Sequence, residues 1–142
     1  MATEKSSTAR LPFETTSRTA NATVQRLTDC VVVITEGEID AANADSFAAF
    51  ALAQITGSKP LIVDLTALDF FGTAGFTALH TMNVQCAADG SRWAVAASEA
   101  VGRVLRICDP SGALPVAGSL SGAKELVEGD EVRLLQLVPE PG

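Results

Sequence analysis

One stretch, "LDFFGTAGFTALH" from Leu68 to His80, holds most of the residues with chemistry to offer. Two bulky aromatics give way to Gly72-Thr73-Ala74-Gly75, a bare turn with a single hydroxyl ahead of a helical pattern. Thr73 at a helix entrance suits two roles. Its hydroxyl can cap the first unsatisfied N–H groups. It is also placed to take a phosphate, because the helix dipole favours an anion there and a phosphate adds about 1.5 to 2 negative charges to any interface the turn makes. Gly72 then relaxes the turn, and Gly75 lets the helix approach its neighbour closely.

Other chemistry is thinly represented. The single histidine, His80, follows Thr73 by about 10 Å of helix, too far for the direct hydrogen bond that a nucleophile and its base need. Neither a phosphate-binding loop nor a dinucleotide glycine fingerprint occurs, which argues against a nucleotide enzyme. Only Asp64 and Asp69 are placed as the acids of a receiver-type phosphoacceptor would be. Three cysteines, Cys30, Cys86 and Cys108, are too few and too widely spaced for a zinc cluster or a disulfide framework, and they suit a reducing compartment. The expectation is no catalytic constellation, no metal and no cofactor. Cys86 and Cys108, near the ends of consecutive helices, form a candidate redox pair, set against the ordinary reading of buried inert thiols.

The elements that must position these residues follow from composition and period. At 142 residues, 47% hydrophobic and 19% charged, the chain fits one folded domain. A net charge of −7 makes it a poor partner for nucleic acid or an anionic membrane and a better one for a basic or neutral protein. The N-terminus has neither a secretory signal nor a spanning segment, so the expected location is cytoplasmic. Residues 1–17 read as a flexible tail, 18–138 as the domain and 139–142 as a second tail.

Within the domain, "ATVQRL" and "CVVVITEG" predict an opening β-hairpin. A helix starts at Asp40, with Phe47, Phe50, Ala51 and Ile55 on one face, and stops at Gly57. "PLIVDL" predicts a central parallel strand over 60–65, followed by a helix over 73–87. The strand "RWAVAAS", the helix "EAVGRVLRIC", the short strand "LPVAGS", the helix "SGAKELVEG" and an extended "EVRLLQL" complete the order. The fold class is α/β: a mixed, mostly parallel sheet of about five strands with about four helices and right-handed crossovers.

The run "PLIVDLTALDFFGTAGFTALH", with "EGEIDAANADSF" upstream and "ASEAVGRVLRIC" downstream, resembles the anti-sigma factor antagonists, the bacterial single-domain members of the STAS family. The resemblance covers roughly residues 20 to 128. In that family an apolar strand leads to Asp-Ser-(Ser/Thr)-Gly-Leu opening a helix, and a kinase-type anti-sigma factor phosphorylates the first serine. By position, Gly72 stands for the family's aspartate, Thr73 for its phosphorylated serine, Ala74 for the second hydroxyl residue and Gly75 for its glycine. The resemblance implies a non-enzymatic regulator of transcription that binds an anti-sigma factor, a serine/threonine kinase of that class among the candidates, as a monomer or homodimer. Phosphorylation at Thr73 or thiol oxidation are the candidate controls, and a STAS scaffold subunit without a phosphoswitch is the alternative. "GEID" resembles the family's loop beside the phosphorylation turn, so Asp40, also a plain N-cap, borders the expected partner surface. On the helix after the turn, Thr73, Thr77, His80, Thr81 and Val84 share a face opposite Gly75, Leu79, Met82 and Cys86. With Gly72, Ala74, Gly75 and Phe76 at the turn, they are the expected partner contacts.

Overall fold

The computed structural model describes residues 5–10, 20–55 and 57–137. Strand β1 (Lys5–Arg10) leads to β2 (Ala20–Arg26) and β3 (Val31–Ile39). Helix α1 (Ala44–Leu52), strand β4 (Leu61–Phe71), helix α2 (Thr73–Asp89) and strand β5 (Trp93–Ala97) follow. Helix α3 (Glu99–Cys108), strand β6 (Val116–Ala117) and helix α4 (Leu120–Leu137) finish the order. The strands lie side by side in chain order, β1 to β6. β2 pairs antiparallel with β1 and β3, and the β3–β4–β5–β6 ladder is parallel.

That order dictates the layers. Each parallel crossover steps the same way across the sheet, and right-handed crossovers therefore place α1, α2 and α3 on one face. Phe47, Leu79, Met82, Val101 and Leu105 meet Val31, Val33, Leu61, Val63, Leu65 and Val95 there. On the other face Ala123 and Val127 of α4 cover Val32, Ile62, Ala94 and Ala96. β4, apolar at nearly every position from Leu61 to Leu65, is buried from both sides, as a central parallel strand must be.

Several boundaries differ from the sequence reading. Lys5–Arg10, placed in the tail, forms β1 against β2. Its sequence, "KSSTAR", has no large apolar residue to reveal an edge strand held by backbone hydrogen bonds. The strand expected over 60–65 runs on to Phe71, and α1 is shorter than the expected 40–57, with Gly57 in a turn at φ 59°. "EVRLLQL" is not extended: α4 continues through it to Leu137, consistent with its many good helix formers. The tail expected at 139–142 lies outside the described residues.

Candidate functional site

The turn at Gly72 is built by two strands that fall out of step. β3 and β4 pair regularly up to Ile34↔Asp64, then slip before Glu36↔Ala67 and again between Gly37↔Leu68 and Glu38↔Phe70. Each slip gives β4 one extra residue, and Gly37 absorbs the distortion at φ 98°. Buried residues in β4 are thereby spaced by three, Leu65, Leu68 and Phe71, while Asp69 and Phe70 face outward. β3 and β4 end together at Ile39↔Phe71, and the Gly72 N–H donates to the Ile39 carbonyl at 3.0 Å. The "GEID" segment and the turn are thus neighbours.

Asp40 is not the helix N-cap. Asn43 holds that position for α1, while the Asp40 carboxylate accepts from the Ala42 N–H at 2.9 Å and closes a tight Asx turn. Asn43, 1% exposed, accepts from the Asp40 N–H and donates to the Glu38 carbonyl, each at 3.0 Å. This buried amide ties the end of β3 to the entry of α1, and sequence reasoning passed it over. An Asn directly before the first helical residues was the available signal.

Thr73 is not the cap of α2 either. Gly72 occupies the N-cap with extended backbone, φ −87° and ψ 178°, and Thr73 stands one position further in, exposed. That φ needs no glycine. Gly75 is different: a Cβ there would lie 2.4 Å from the Phe71 ring, so the absence of a side chain is what lets α2 settle on Phe71. Gly75, Ala78, Leu79, Met82 and Cys86 are buried, and Asn83 accepts from the Trp93 indole N–H at 2.9 Å, which fixes the helix about its axis. Thr73, Thr77, His80, Thr81 and Val84 consequently all face solvent, with Ala74 and Phe76 half-buried beside them. The His80 ring lies 6.2 Å from that of Phe76. A left-handed Gly90 ends the helix, with the Ser91 N–H donating to the Cys86 carbonyl at 2.8 Å.

With this geometry the comparisons with known proteins agree. The STAS domain family model matches residues 21–123. The chain belongs to the STAS family. The STAS domain here is 33% identical to the anti-sigma-F factor antagonist RsfA of Mycobacterium tuberculosis over 104 residues, 70% of this chain and 81% of RsfA. It is 39% identical to osmosensory protein A of the same species over 70 residues, 49% of this chain and only 44% of that protein's length. Two solved structures share the fold. An anti-sigma factor antagonist from Mycobacterium paratuberculosis superposes with a TM-score of 0.67 at 24% identity, covering 77% of this chain and 94% of that one. The unphosphorylated form of SpoIIAA, also an anti-sigma factor antagonist, gives 0.59 at 20% identity, covering 76% and 96%.

Asp64 spends its carboxylate locally, accepting from the Thr66 N–H at 2.9 Å and its hydroxyl at 2.7 Å, and Asp69 is exposed, so the two make no acidic cluster. Among the described residues no group of three or more His, Cys, Asp or Glu converges as metal ligands would, and no helix is long and apolar enough to cross a membrane. The three thiols are free. Burial, and then the charge of Asp89, pushes the Cys86 thiol up from 9.0 to about 11, and burial also raises Cys30. Thiolate is the reactive form, so a folded-state reagent should label half-buried Cys108 first and buried Cys86 and Cys30 far more slowly. Timed alkylation read by mass spectrometry checks this, and equal rates at Cys86 and Cys108 would refute it. The unfolded thiol ionises from 9.0 and the folded one from about 11, so Cys86 costs stability as pH rises through that window.

Proposed function

We propose that this STAS domain is an anti-sigma factor antagonist: it binds an anti-sigma factor through the Gly72 turn and the exposed face of α2, and so frees a sigma factor for transcription. The observation that carries the reading is the bipartite helix. One side of α2 is locked by Gly75, Leu79, Met82 and Cys86, and the other offers Thr73, Thr77, His80, Thr81 and Val84 to solvent beside Asp40. The names of its relatives supply the partner class. In this reading the domain catalyses nothing, works in the cytoplasm as a monomer or homodimer, and meets a partner that includes a serine/threonine kinase. Thr73 receives the phosphate, since an exposed hydroxyl at position N1 places the anion on the free N–H groups of the first turn. Oxidation at Cys86 and Cys108 is the second control, slowed by the burial of Cys86.

Calorimetric titration against the purified anti-sigma factors of the source genome is the test, with a saturable complex as the expected result. No complex with any of them overturns the reading. Incubating the complex with ATP and mapping phosphate by mass spectrometry is expected to find it on Thr73. Phosphate on another residue would reject Thr73 as the switch, and none at all would make the antagonist constitutive.

A further inference from the structure

A carboxylate sits buried in the middle of the sheet. Asp64 is 7% exposed on the central strand, with Ile34 beside it on β3 and Ala96 on β5. A charge in such apolar surroundings lowers stability unless hydrogen bonds compensate it, and a well-packed apolar residue would often serve the core better. Its Oδ1 accepts from both the N–H and the hydroxyl of Thr66, only two residues on. The chain therefore curls back on itself in the middle of a strand, as an Asx turn does.

That curl coincides with the first register slip. Ile34 pairs with Asp64 but Glu36 pairs with Ala67, which leaves Leu65 and Thr66 together opposite Thr35. Thr35 is fully buried, and its hydroxyl finds no hydrogen-bond partner among the described residues. A buried carboxylate and an orphaned hydroxyl at one slip both work against stability, and local violations of this kind gather at functional sites. The slip also has a consequence downstream. Without it Ile39 would pair with Phe70 instead of Phe71, and the Gly72 turn would stand one residue further along, about 3.3 Å. Binding sites hold their groups to within about 0.5 Å, so the difference decides whether the turn and Asp40 form one surface.

We infer that Asp64 is a positioning residue for docking: by curling β4 onto Thr66 it sets the β3–β4 register and brings the Gly72 turn level with Asp40. The inference rests on the proposed function and assigns the residue that shapes its surface from within the sheet. Nuclear Overhauser contacts and amide exchange on the isotope-labelled full chain read the register, and calorimetry against the purified anti-sigma factors of the source genome reads docking. Asp64→Asn keeps the acceptor oxygen, so Ile39 should stay opposite Phe71 and affinity within about twofold of wild type. Asp64→Ala should move Ile39 opposite Phe70 and weaken binding by about tenfold or more. It should also lower protection of the Gly72 amide about tenfold more than that of Leu61, whose N–H donates to the Arg92 carbonyl at 3.0 Å ahead of the slip. A merely structural role would lower both amides together. If Asp64→Ala fails to fold, Thr66→Ala takes its place, deleting one of the two bonds, with smaller changes expected at the same positions. An unshifted register, equal loss of protection at Gly72 and Leu61, or wild-type affinity in the folded variant overturns the inference and leaves the proposed function standing. A wild-type chain that binds none of the factors overturns both.

Discussion

Gly75→Ala destabilises the domain by about 1 to 3 kcal/mol, the range for forcing a methyl into a packed core. Two effects compete. Glycine to alanine inside a helix gains up to about 1 kcal/mol in propensity, less near an end. Against it, the new Cβ lies 2.4 to 2.8 Å from three atoms of the Phe71 ring, nearer than real contacts come. Phe71 is 5% exposed beneath the helix and cannot swing into solvent. Overpacking therefore wins, and the start of α2 must lift. Denaturant unfolding of four proteins isolates the cause: wild type, Gly75→Ala, Phe71→Leu and the double variant. Leucine lacks the ring atoms that alanine would strike, so the cost of Gly75→Ala should shrink in the Phe71→Leu background. A neutral or stabilising Gly75→Ala would mean that propensity outweighs packing here.

The same turn shows where sequence reasoning succeeds and where it stops. The two faces of α2 were legible because helical spacing alone separates Gly75, Leu79, Met82 and Cys86 from Thr73, Thr77, His80, Thr81 and Val84. Gly75's close approach was legible too, from a glycine at the head of the stripe that Leu79 and Met82 continue. Cap assignments were not. Thr73 and Asp40 have the right side chains, but a cap is defined by backbone position, and the caps fall on Gly72 and Asn43. Those positions depend on where β3 and β4 end, which two register slips decide. A slip is a property of strand pairing and leaves no period in either strand. For that reason β4 read as ending at Leu65, and Phe70 drew no notice as a surface residue. β1 was invisible on other grounds, since backbone pairing at an edge requires no apolar pattern.

Thr73→Glu separates helix stability from docking because the two respond with opposite sign. At N1 a carboxylate faces the positive end of the α2 dipole, worth about 0.3 to 1 kcal/mol of stabilisation, so the variant should fold at least as well as wild type. Docking carries that same carboxylate into a surface with no cation from Thr73 to Ala88 to pair with it. An unpaired charge buried in an interface costs about 2 to 5 kcal/mol, which corresponds to a loss of roughly 30-fold or more in affinity. Thr73→Ala removes a hydroxyl that is not the N-cap, so it should leave both unfolding midpoint and affinity near wild type. Urea unfolding and calorimetry against the anti-sigma factor, run on all three proteins, read both quantities. Wild-type affinity in a well-folded Thr73→Glu would exclude Thr73 from the interface and remove the basis for switching by phosphate at that residue. A Thr73→Ala that loses as much affinity as Thr73→Glu would instead make the hydroxyl a direct contact, and would shift the switch from added charge to a lost hydrogen bond.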